Sequence, residues 1–422
     1  MKTNRVSTLA VSLFLLAAVP PLLAQPGSGI RVGQQTLLIP ELSLSMNHND
    51  NIRLRERALD QGGEDLEDSE SDTFLNAQTT LFLRHWSDSS QINGKAWFNT
   101  QNYNDNRDLD ENTYGGDLSY FWARADARTT VKTDVSFQRA VDRTETNDDF
   151  IADIDTSPEL ENVAERVERD ERRGTITIDQ HLMTDVRGEF TYGVTAIDYD
   201  HERYNDRTSH SGQLEINYTL SEKTQPYGRM GIGIDDDDGF EDPAEKPFYL
   251  VGVRHAPTPK LDFDVAVGYE TYTRTPNEGV DEGKKLEDSS IKWTARVNYA
   301  ATKKTRATLS GRTGYNSVAS PGSSSREESS ISLLVDHQTT RQASQRVTIA
   351  WREDDYLSPF PARGQLYDEK KETLLYQYRI DYQTVRPWLS LFGQVAYEDG
   401  SSRIPGDSYT ETEITLGVKL RY

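Results

Sequence analysis

The chain has 422 residues, no cysteine, and a formal net charge of −22 at pH 7. Without cysteine it carries neither disulfides nor a lipid-anchoring thiol, and its acidity excludes the basic footprint of a nucleic-acid binder. Mean hydropathy is −0.74, and no stretch after residue 24 supplies the roughly 20 consecutive apolar residues of a membrane-spanning helix.

Lys2 and Arg5 precede an apolar run over residues 6–19, and Leu22-Leu23-Ala24 precedes Gln25. That is the layout of a secretory signal, with removal near Ala24. Losing those two cations takes the mature chain from −22 to −24. Residues 25–35 read as a short periplasmic segment.

From residue 36 to residue 422 one unit repeats: an alternating strand of roughly ten residues, a short turn, a second such strand, and a long acidic loop. In residues 91–103, Ile92, Gly94, Ala96 and Phe98 share one face, with Lys95, Trp97 and Asn99 on the other. Leu261, Phe263, Val265, Val267 and Tyr269 alternate with Asp262, Asp264, Ala266 and Gly268. The same pattern marks 291–299 and 374–382. Short turns fall at 87–90, 126–128, 183–185, 221–223, 257–260, 302–304, 339–341 and 384–386. Long loops fall near 50–72, 104–114, 141–170, 198–211, 235–247, 272–289, 316–328, 353–370 and 399–409. Eight turns and nine loops separate 18 strands, with a range of 16–20. An even count suits a transmembrane antiparallel up-and-down β-barrel, whose strands need only one apolar face. Both termini then lie on the short-turn, periplasmic side of a Gram-negative outer membrane. A propeller of similar repeat length needs four strands per blade, and this repeat supplies two.

The final strand places Thr412, Ile414, Leu416, Val418, Leu420 and Tyr422 on one face. An alternating last strand with a terminal aromatic resembles the signal that outer-membrane insertion machinery recognises, and Tyr422 is the residue assigned to it. Residues 40–52 read PELSLSMNHNDNI. That stretch resembles the opening of the putative β-barrel porin type 2 family, and the strand layout extends the likeness to the C-terminus. The resemblance implies an outer-membrane barrel; some members resemble barrels associated with exopolysaccharide assembly. The expanded acidic loop before Phe74 departs from shorter versions of the motif.

Strand parity assigns a pore-lining row: Arg84, Lys95, Trp97, Asp134, Arg187, Glu189, Glu215, Arg229, Asp262, Asp264, Lys292, Arg296, Arg306, Arg379 and Asp381. Both signs occur, which predicts weak ion selectivity. Trp97 offers a surface on which a sugar ring can stack. Tyr299, Trp293 and Tyr422 read as lipid-facing or interfacial.

No catalytic residues emerge. There is no Gly-x-Ser-x-Gly elbow. His85, His255 and His337 fall on the apolar row at the periplasmic ends of strands, and His181 on the other row. His201 and His210 flank one loop with Asp198, Asp200 and Asp206, a polar loop more readily than a metal or protease constellation. Asp235, Asp236, Asp237 and Asp238 are a candidate weak surface calcium site, since calcium takes clustered oxygen ligands; no other cofactor is implied. The acidic loops read as plain solubility or as carboxylates sharing divalent cations with lipopolysaccharide phosphates.

Three functions remain open on the sequence: a passive conduit for polar solutes or an exopolysaccharide, an accessory barrel of an envelope assembly with a plugged lumen, and a barrel hydrolase. Lipopolysaccharide, the insertion machinery and polysaccharide export components are the expected partners. Ser157-Pro158-Glu159-Leu160 reads as a helix start, with Leu160, Val163, Ala164 and Val167 at helical spacing, in a loop expected to fold into the lumen.

Overall fold

A computed structural model describes residues 29–52, 70–124, 126, 128–142, 167–200, 206–237, 240–276, 285–316, 326–357, 360–362, 365–367, 370–403 and 408–422. The signal segment, His201 and Asp238 lie outside the described residues, as does the expected helix except for Val167, which opens a strand.

In chain order the strands are β1 (Ile30–Val32), β2 (Thr36–Asn49), β3 (Asp72–Trp86), β4 (Ser90–Tyr103), β5 (Glu111–Ala123), β6 (Thr129–Asp142), β7 (Val167–His181), β8 (Val186–Tyr199), β9 (Arg207–Tyr218), β10 (Thr224–Asp237), β11 (Phe240–Thr258), β12 (Leu261–Pro276), β13 (Leu286–Tyr299), β14 (Thr305–Asn316), β15 (Arg326–Gln338), β16 (Ala343–Tyr356), β17 (Phe360–Ala362), β18 (Gln365–Tyr367), β19 (Lys370–Gln383), β20 (Leu389–Ser402) and β21 (Tyr409–Arg421). β17 and β18 pair only with each other. The other 19 form one antiparallel sheet, and setting aside the short β1 leaves 18 wall strands. β21 pairs back onto β2, Leu420 opposite Leu42, so the sheet closes on itself.

β1 turns back on the first residues of β2, Ile30 opposite Leu38. It continues the line of β21, and Tyr422, the residue after β21, donates its backbone N–H to the Pro40 carbonyl at 3.0 Å. The expected periplasmic segment is thus partly a hairpin on the barrel rim. Gly29 makes it possible. Its φ is +77°, and a Cβ there would stand 2.8 Å from the Leu38 carbonyl oxygen.

The wall strands are longer than the roughly ten residues their apolar pattern marks, running from 12 residues in β9 to 19 in β11. Backbone pairing requires no apolar side chain, so the ladders continue past the lipid belt on polar sequence. The expected loop 235–247 is the clearest correction. β10 ends at Asp237 and β11 begins at Phe240, with register shifts near Asp242 and Glu245.

One row along every strand carries most of the exposed large apolar residues, among them Val251 (67% exposed), Ile291 (65%), Tyr249 (63%) and Leu75 (61%). This is the lipid face, since a barrel with a polar interior presents its apolar row outwards. Three histidines of this row close hairpins at the short-turn end through a threonine hydroxyl: Thr36 with His85 (2.9 Å), Thr224 with His255 (2.8 Å), and Thr305 with His337 (2.9 Å). Each pair joins directly opposed residues.

Candidate functional site: the inner wall

All fifteen residues assigned to the pore by parity share the inner row. The ladders link them sideways: Glu189 faces Glu215, Glu215 faces Arg229, and Asp264 faces Arg296. Alternation alone fixes this, because strand side chains change face at every residue.

Ion pairing concentrates at the wall between β9 and β12. Glu215, 2% exposed, accepts from Arg229 Nη2 at 2.6 Å and from Arg254 Nη1 at 2.8 Å. Arg254 also donates through Nε to Asp264 at 3.0 Å and through Nη1 to Asn217 at 2.6 Å. The Tyr227 hydroxyl donates to Asp264 at 2.6 Å, reaching across the strand between them. The Arg254 guanidinium lies 4.5 Å from the centre of the Tyr227 ring. Arg254 is absent from the sequence-derived row although the signal was available, since Tyr249, Val251, Val253 and His255 alternate with it.

A second set of pairs lies toward the long-loop end. Arg274 and Asp237 are paired with side chains 0% and 1% exposed, and Arg207 stands 3.9 Å from the same carboxylate. Lys246 binds Asp235 at 2.6 Å and Lys292 binds Glu270 at 2.6 Å. Arg312 and Arg352 share Glu328, at 2.8 and 3.4 Å. The aspartate run is accordingly corrected as a cation site. Asp235 and Asp237 face the lumen and hold cationic side chains, while Asp236 occupies the opposite face. Consecutive strand residues cannot converge on one ion. No group of three or more His, Asp or Glu able to hold a metal occurs among the described residues. His210 is likewise not a loop residue. It stands on the outer row of β9, 2.8 Å from the Tyr192 hydroxyl.

Exposure varies along the lumen. At the short-turn end Arg84, Arg187, Asp262, Arg296 and Arg306 are exposed. Toward the long loops the inner row is buried, as at Ala350 (0%), Thr348 (1%) and Leu375 (1%). Two apolar clusters sit at that mouth. Ile52, Phe74, Tyr103 and Leu109 form one, with the Phe74 and Tyr103 rings stacked at 4.6 Å. Asp72 holds the turn beside it through the backbone N–H groups of Asp105 and Asn106. Ala244, Tyr272 and Tyr315 form the other. Below the mouth a cavity of about 720 Å³ opens against β3–β7, lined by Arg84, Lys95, Asp117, Lys132, Asp134 and Arg173 among others. Trp97 lies beside this region over Gly115, where a Cβ would stand 2.8 Å from its ring. One of its faces therefore covers the wall.

The polar inner row, apolar outer row and closed sheet are those of an outer-membrane barrel. The family model described as putative beta-barrel porin 2 matches residues 25–422. The chain belongs to that family. It is a porin-like outer-membrane β-barrel. No curated protein matches the chain. Solved structures similar to this porin-family barrel include OpdK from Pseudomonas aeruginosa with vanillate (TM-score 0.45, 8% identity, covering 91% of this chain and 99% of that chain). OccAB4 from Acinetobacter baumannii gives 0.44 and 12%, covering 92% and 99%. The apoprotein of the FrpB iron transporter from Neisseria meningitidis gives 0.47 and 8%, covering 93% and 82%.

Proposed function

We propose that this barrel is a passive conduit for polar solutes, with its short turns periplasmic and its long loops extracellular, entered where the charged inner row is most exposed, at the periplasmic end. The observation that carries the reading is the inner row, rich in charged and polar side chains, which gives water and hydrated solutes a wall to follow. Cations and carboxylates both line it, so the conduit discriminates weakly between ions. An exopolysaccharide is the larger solute this reading admits. Export is completed by signal cleavage near Ala24, insertion by the barrel machinery through Tyr422, and residence beside lipopolysaccharide. The chemistry is transport without catalysis, in keeping with histidines bound to threonine and tyrosine hydroxyls on the lipid face.

Purified protein in planar bilayers tests this. Discrete conductance steps with a reversal potential near zero in a salt gradient are expected. Absence of steps in a correctly folded, heat-modifiable barrel rejects the conduit. It favours the accessory reading, for which the buried extracellular half of the inner wall speaks.

A further inference from the structure

Among the described residues the wall has one seam. β13 and β14 pair only from Thr294 opposite Arg312 to Tyr299 opposite Ala307. Above that point β13 continues to Leu286 against β12, and β14 continues to Asn316 against β15, but the two no longer face each other. The upper end of β14 instead overlaps the inner face of β12 and β13. Tyr315 belongs to the outer row by parity, yet it is 3% exposed. Its backbone N–H donates to Glu270 at 3.0 Å, its hydroxyl to Asp288 at 3.0 Å, and its ring stands 5.5 Å from Tyr272. Glu270, Asp288 and Tyr272 are all inner-row residues of the neighbouring strands. Thr313 donates its hydroxyl to the Ile291 carbonyl at 3.1 Å, a side-chain contact where a ladder bond would run. Gly314 permits the overlap, because its Cβ position lies 3.1 Å from Lys292 Nζ and 3.2 Å from Glu270 Oε2.

We propose that this lapped joint is the gate of the conduit. The inference rests on the conduit reading. In the lapped state the upper wall is drawn inwards, and Tyr315 adds to the apolar cluster at the mouth. In the open state β14 slides out and continues the existing register, which places Tyr315 directly opposite Ile291. Tyr315 then joins the outer row where its parity belongs, and Glu270, Lys292 and Asp288 return to the lumen. The exchange is balanced on both sides. Lapping satisfies the tyrosine N–H with the buried Glu270 carboxylate and the hydroxyl with Asp288, whereas zipping restores the backbone ladder along the upper β13 edge, where backbone groups without ladder partners are costly at membrane depth. The mouth widens because a lapped strand is restored to the circumference, where strands are spaced about 4.8 Å apart.

The cysteine-free chain allows a direct test. Ile291→Cys with Tyr315→Cys reports and locks the zipped state; Tyr272→Cys with Tyr315→Cys reports and locks the lapped one. Oxidation in outer membranes, read by gel mobility, should trap both pairs. Glu270→Gln in an otherwise native barrel should raise the zipped population. The 291–315 lock should raise single-channel conductance, and the 272–315 lock should hold it at the closed level until reductant is added. Failure of the 291–315 pair to crosslink while the 272–315 pair does, in barrels that remain heat-modifiable, overturns the gate. So does a 291–315 lock that leaves an existing conductance unchanged. If neither locked form conducts, the conduit reading falls, and crosslinking alone still decides whether the joint moves.

Discussion

The side chain of Tyr227 occupies the space a side chain at Gly252 would need: a Cβ there would stand 2.4 Å from the ring Cζ and 2.6 Å from the hydroxyl. The two residues are directly opposed on β10 and β11. The missing side chain lets the tyrosine cross β11 and reach Asp264 on β12. The same opposition recurs at Gly231 with Phe248 and at Gly417 with Phe392. Aromatic rings thereby cover the wall instead of obstructing the lumen.

Gly252→Ala should therefore displace the Tyr227 ring and break its bond to Asp264. A loss of about 1–3 kcal/mol is expected from overpacking. The urea midpoint of the heat-modifiable band in detergent measures it. An unchanged midpoint shows that the ring moves aside at no cost.

Glu215→Gln removes the negative charge shared by Arg229 and Arg254, leaving two guanidinium groups adjacent without their buried counter-charge. Breaking such a pair costs about 3 kcal/mol. The same unfolding assay should show a larger loss for this variant than for Arg254→Gln, whose side chain is 36% exposed and half in the lumen. Equal and negligible losses would show that lumen water replaces the pairing.

The two faces should respond oppositely to charge. Val251→Arg places a cation on the lipid row, costing about 2–4 kcal/mol near the membrane midplane, and should reduce the folded fraction in liposomes. Lys95→Glu, on the inner row, should leave folding intact and move the reversal potential toward cation preference. A folding defect in Lys95→Glu equal to that in Val251→Arg would reverse the assignment of faces.

Deleting Tyr422 removes the terminal aromatic and its bond to the Pro40 carbonyl at the closure of the barrel. Outer-membrane levels of the heat-modifiable form should fall several-fold while total synthesis is unchanged. Equal levels would mean that recognition resides in the rest of β21.

Alternation determined the architecture from the sequence. The 18 strands and the inner row follow from a two-residue period, which is local and survives any arrangement of the strands. What lies opposite what is a property of register, and register is invisible in a single strand. For that reason Arg254, Tyr227 and Arg274 acquire their partners only in the folded wall, and the run Asp235 to Asp237 changes from a candidate cation loop into residues on opposite faces. The lapped joint is the extreme case. Parity assigns Tyr315 to the lipid face, and only the tertiary structure, by ending the β13–β14 ladder at Arg312, turns it inward onto Glu270 and Asp288. A local period cannot report where two strands part, because that is decided by the balance between backbone pairing along the seam and the buried polar contacts made when it is released.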